Sequence, residues 1–189
     1  MTTILLSYNE VQTLARKAAC GAGLPHGVAE DVGQAAVWLS ARGIDAVGVV
    51  IDALGSQAEV LGDQSAIDAL CCGETAEIAF EGRSCSLMLI GLAGAVAANT
   101  AMNLTLRYDG GVEPLALAAN PAELAASALS LRLHSPPDGG MPMPRRSPRP
   151  AATDAAAYAA ALGLAARTYV PASELSRAQG AGAGTTDND

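Results

Sequence analysis

As far as Gly73 the apolar residues of this chain recur with helical spacing, and beyond it they alternate. That change of period limits the possible folds more than any other feature of the sequence. Ser7-Tyr8-Asn9-Glu10 has the spacing of a capping box, and Val11, Leu14, Ala15 and Ala18 recur after it at i, i+3, i+4 and i+7. The pattern predicts a helix over 8–21, ended by Gly21 and Gly23. Pro25 suits the first turn of a second helix, with Val28, Val32, Ala35 and Leu39 as its stripe and Gly43 as its stop. The short connection makes the two an antiparallel pair whose Ala- and Gly-rich faces allow close approach. Asp45 caps a third helix with a stripe from Val47 to Leu61, closed by Gly62, and Ser65 caps a short fourth one reaching Cys72 and closed by Gly73.

Past Gly73, Ala76, Ile78 and Phe80 share one face of a strand. Cys85 to Ile90 reads as a strand buried on both sides, while periodicity leaves Gly91 to Met102 open between an Ala-rich helix and irregular backbone. Leu104, Leu106 and Tyr108 alternate with polar residues, Asp109-Gly110-Gly111 is a turn, and Val112 to Leu117 return as the partner strand. Asn120-Pro121-Ala122-Glu123 opens a short helix, and Ser127 to His134 alternates as a last strand. Six of the ten prolines fall between Pro136 and Pro150, beside Arg145, Arg146 and Arg149, which marks a solvated loop. Thr153 caps a helix over about 154–167. The order predicts an α+β fold: an N-terminal helical hairpin and further helices, a central, mostly antiparallel sheet, and a C-terminal helix. The expected division is a core domain over 1–135 (helices 8–73, strands 74–134), a Pro/Arg-rich loop over 136–152, and a helix with a Gly-rich tail over 153–189 belonging to the same domain.

Charge narrows the function. Nineteen carboxylates against eleven basic residues give a net charge of −8, which repels nucleic-acid backbones and anionic membranes. The longest apolar stretch, Leu87 to Ala98, is well short of the roughly 20 residues of a membrane-spanning helix, and no basic residue precedes the short apolar patch at Ile4–Leu6. The expectation is a cytoplasmic protein. Cys20, Cys71, Cys72 and Cys85 form no C-x-x-C pair and read as reduced thiols, mostly buried, with no metal site expected. His26, near a helix start, is expected to be a neutral imidazole, and His134 a surface or cap residue.

Polar chemistry concentrates at the C-terminus. Tyr169, Ser173, Glu174, Arg177, Gly180, Gly182, Gly184, Asp187 and Asp189 are the candidate ligand-binding residues: Arg177 for a carboxylate or phosphate, the glycine amides as an anion nest, and the aspartates as oxygen donors. No catalytic constellation assembles in the sequence. The leading expectation is therefore a non-catalytic binding or assembly protein with an ordered C-terminal motif. The alternative is an enzyme or ligand binder that takes a small anionic metabolite at that segment. With 41 alanines and only six aromatic residues the core is built of small side chains, so association as a homodimer is expected to bury further apolar area.

The run Asn9-Glu10-Val11 through Leu14-Ala15-Arg16-Lys17-Ala18-Ala19 to Gly21-Ala22-Gly23 resembles a bacterial family catalogued as a domain of unknown function. So does the closing block Tyr169-Val170-Pro171-Ala172-Ser173-Glu174, Ser176-Arg177, Gly180 to Gly184 and Asp187-Asn188-Asp189. The resemblance covers essentially the whole chain and implies no activity. A second similarity, over residues 7–49, is to the entry region of the malate and lactate dehydrogenases outside the Rossmann class. There Gly43-Ile44-Asp45-Ala46-Val47-Gly48-Val49 puts Val47 where that family has a catalytic histidine, which implies a shared local structure without the activity.

Overall fold

The computed structural model describes residues 2–80, 85–100, 102–134 and 149–169. It is α+β, with the sheet mostly antiparallel as expected. A two-residue strand, β1 (Thr3–Ile4), leads into α1 (Tyr8–Ala22). The capping box forms: the Ser7 amide donates to Glu10 Oε2 at 2.7 Å and the Glu10 amide to Ser7 Oγ at 3.3 Å. These bonds hold the exposed Glu10 carboxyl below its ordinary range. Gly23, at φ 106°, closes the helix in the left-handed conformation, while Gly21 is an interior residue of α1. The next helix is α2 (His26–Ser40), and the contacts Gln12 with Gly33 and Arg16 with Glu30 run in opposite directions along the two, making them antiparallel.

The third and fourth helices divide differently from the expectation. α3 (Ala46–Leu54), capped by Asp45, ends at Gly55-Ser56, and α4 (Gln57–Cys71) runs without a break through Gly62 and Ser65. Val60, Ile67 and Leu70 keep one buried stripe across Gly62, which lies on the exposed side, so its missing Cβ interrupts nothing. Val47 is fully buried in α3.

After β2 (Glu77–Ala79) the chain departs furthest from the expectation. Cys85 to Ile90 is not a strand: Ser86 caps α5 (Leu87–Asn99), accepting from the Leu89 amide at 2.9 Å. The stretch left open, Gly91 to Met102, is thus helical as far as Asn99, and helices are not confined to 8–73. α5 is apolar on all sides because it is enclosed on nearly all sides, and a doubly buried strand shows the same pattern in sequence. Gly91 meets Leu39 and Ala35 of α2, and Gly94 lies flat against the Trp38 ring. The Arg42 guanidinium stacks on the same ring, 3.7 Å from the centroid. Arg42 in turn donates to the carbonyls of Ala118 (2.7 Å), Trp38 (3.0 Å) and Ala116 (3.1 Å).

β3 (Asn103–Tyr108) turns into β4 (Gly111–Pro114), which stops short of the predicted Leu117 because Leu115–Leu117 winds into a 3₁₀ turn that buries Leu115. α6 (Pro121–Ser127) starts at the Asn120 cap, and β5 (Ala128–His134) completes a sheet of order β2-β5-β3-β4 in which every pair is antiparallel. Ile78, Leu104, Leu106 and Leu131 share its core face, and Arg132 pairs with Glu77 at 2.6 Å on the other. Thr153 is not a cap. It belongs to β6 (Thr153–Asp154), which pairs with β1, and Asp154 caps α7 (Ala155–Ala165) by accepting the Ala156 amide at 2.8 Å. A carboxylate at the positive end of a helix is the stronger cap.

Candidate functional site

α7 packs on α1 through Gly21, where the Leu164 backbone lies so close that a Cβ would overlap its carbonyl. Beside this crossing the two helices leave an open groove of about 250 Å³. Asn9, Thr13 and Lys17, spaced by four, line its α1 side, while Tyr158, Leu162 and Ala165 line the α7 side. Tyr169 stands at its rim, 61% exposed, with Lys17 Nζ 5.0 Å from its ring centroid in a cation–π contact. Tyr169 is the one candidate ligand residue among those described. Ser173, Glu174, Arg177, Gly180, Gly182, Gly184, Asp187 and Asp189 lie outside the described residues, as do Arg145 and Arg146.

Sequence reasoning missed the outer side of α7. A helix apolar on every side is normally enclosed, as α5 is. In α7 only Ala161 and Ala165 are buried, and Ala156, Ala159, Ala160, Leu162 and Gly163 are exposed, Leu162 by 45%. No charged side chain occurs from Ala155 to Ala166. The signal was legible as a charge-free helix in a chain of net charge −8.

A second cleft, about 640 Å³, lies between α4 and the β2–α5 junction, with Glu59 and Asp63 on one wall and Phe80, Cys85 and Leu89 on the other. Ser86 Oγ donates to Asp63 Oδ2 at 2.9 Å. Burial, and then the Asp63 charge, push the Cys85 thiol from its ordinary 9.0 up to about 12. Burial, then Asp68, raise Cys71 in the same direction; the thiols are nonetheless less buried than expected, Cys20, Cys71 and Cys85 being half-buried and Cys72 exposed. At pH 8 Cys85 should therefore resist iodoacetamide in the native protein while exposed Cys72 reacts, and label fully in denaturant; mass spectrometry of the native protein showing Cys85 alkylated alongside Cys72 would contradict this. An unfolded thiol ionises before the folded one, so the contribution of Cys85 to stability is intact below about pH 9 and is lost as pH rises toward 12. Cys20 Sγ lies 3.4 Å from His26 Nδ1. Among the described residues no three His, Cys, Asp or Glu side chains gather as a metal site, and no helix is long and apolar enough to cross a membrane.

The fold and this helical platform define an α+β domain with an uncharged helix on its surface. Residues 6–77 match the model of a family described as "Protein of unknown function (DUF3726)". The match spans α1 to α4 and the start of β2, and so takes in the N-terminal run that carries the family resemblance but not the closing block. No curated protein and no solved structure matches the chain.

Proposed function

We propose that this protein acts through assembly: two copies join by the outward face of α7, as a homodimer. The observation that carries this reading is the exposed, charge-free face of Ala156, Ala159, Ala160, Leu162 and Gly163. Ala156, Ala159, Ala160 and Gly163 recur at i, i+3, i+4 and i+7, so they form one surface that can meet its own copy about a two-fold axis. Small side chains there let helix axes approach to about 8 Å. Gly163 supports the same reading. A helical glycine costs about 1 kcal/mol relative to alanine, and open space surrounds the place its Cβ would take, so the monomer's own packing gives no reason for it.

Electrostatics favours this face over others. Two copies that each carry −8 repel wherever carboxylates face one another, and α7 is a surface where they do not. The test is sedimentation equilibrium on the wild type and on Ala160→Glu, a substitution at an exposed position that leaves the core untouched. The dimer is expected in the wild type at micromolar concentration. In the variant the dissociation constant should rise at least roughly a hundredfold, because each copy would bury an unpaired carboxylate. A variant that still sediments as a tight dimer would remove α7 from the interface.

A further inference from the structure

The cleft between α4 and the β2–α5 junction, about 640 Å³, has the volume of a small-molecule site, which runs from about 300 to 1,000 Å³. Its two walls differ in chemistry. Ile78, Phe80 and Leu89 form an apolar wall, and each is more than nine-tenths buried, so the core fixes it in place. Across from them Glu59 and Asp63 lie one turn apart on the same side of α4, an i, i+4 pair of like charges that costs the helix stability. Gly62, on that same wall, has open space where its Cβ would be, which keeps the mouth clear. We propose that this cleft binds a small organic cation with an apolar body, of the arylalkylamine class. The ammonium group sits at Asp63, with the Glu59 charge beside it, and the hydrocarbon lies against Ile78, Phe80 and Leu89.

Asp63 is oriented before any ligand arrives. Ser86 Oγ donates to its Oδ2 at 2.9 Å and accepts from the Leu89 amide at 2.9 Å. The carboxylate is thus tied to the residue that starts α5, and binding does not have to order it. A carboxylate has about four acceptor positions, of which this bond uses one. Other ligand classes fit less well. A bare metal ion takes more ligands than two carboxylates supply, and among the described residues no three His, Cys, Asp or Glu side chains gather. An anion would meet two charges of its own sign. Among the described residues that line the cleft none belongs to α7, so the inference stands apart from the dimer.

Titration of the isotope-labelled full chain with phenethylammonium chloride, followed by heteronuclear NMR, tests it. The amide shifts of Asp63, Phe80 and Leu89 should saturate with a dissociation constant of roughly a millimolar. Phenethyl alcohol, the same body without the charge, should bind at least roughly tenfold more weakly, because a charged hydrogen bond is worth about one to two orders of magnitude in affinity. Two variants assign the effect to the cleft. Asp63→Asn keeps an acceptor for Ser86 and removes the charge, and Gly62→Leu, which favours the helix, puts a side chain into the open space at the mouth. Each should weaken the amine roughly tenfold or more, while circular dichroism shows an unchanged fold. No saturable shift with the amine, equal affinity for the alcohol, or unchanged affinity in both folded variants would overturn the proposal. Sedimentation of the same samples reads the α7 dimer separately.

Discussion

Replacing Gly21 by alanine is expected to destabilise the protein by about 3 kcal/mol, although the same change in an exposed helix gains about 1 kcal/mol. The opposite sign makes this a sharp test of the α1–α7 crossing. A Cβ on Gly21 would overlap the Leu164 carbonyl oxygen and carbon, and both are backbone atoms within α7. No rotamer change relieves such a clash, so α7 must lift away. Lifting it removes Ala161 and Ala165 from the core and strains the β1–β6 pairing at the other end of α7. A urea titration should show a lower midpoint, and hydrogen exchange should locate the loss in α7. A higher midpoint would mean that the helices do not cross at this glycine.

Gly94→Val has the second large effect, again about 3 kcal/mol from overpacking. The added side chain would enter the six-membered ring of Trp38, a side chain with no room to swing aside. Arg42 stacks on it and is fixed by three carbonyls, so moving the ring breaks the tie between α2 and the 3₁₀ turn at Leu115–Leu117. Among the described residues the buried Trp38 Nε1–H has no hydrogen-bond partner, so packing and the Arg42 stack hold the ring. Trp38 is the chain's single tryptophan and reports on its own displacement. The variant should show a lower melting temperature and a red-shifted emission; an unchanged spectrum and an unchanged melting temperature would show that α5 does not lie on this ring.

Three helix starts were legible from a side chain that caps an amide. Ser7, Asp45 and Asn120 each open a helix where the sequence placed one. The same physics was present at Ser86 and was hidden by its downstream neighbours: Leu87 to Ala98 is apolar at every position but the two glycines, so no period separates a buried helix from a buried strand. The glycines that argue against a helix are there because α5 presses on Leu39 and Trp38, a reason that exists only in the packed structure. Gly62 misled in the reverse direction, since an exposed helical glycine reads as a stop. At Asp154 the cap lay one residue beyond the one chosen.

The candidate site divided along similar lines. Tyr169 was named from the polar C-terminal block, and the groove it borders is lined by Lys17 and Leu14, which the sequence assigned only to the first helix. For α7 the lack of charge was legible, but which face is exposed was not. A helix without polar residues has no preferred side, so its sequence says that it is apolar and leaves open which half the core takes.

The mass of the full chain over a dilution series bears most directly on the assembly reading. Sedimentation equilibrium should give twice the chain mass of 18.9 kDa at micromolar concentration, falling toward one chain on dilution, with a melting temperature that falls in parallel. A single-chain mass and a concentration-independent melting temperature throughout that range would contradict it.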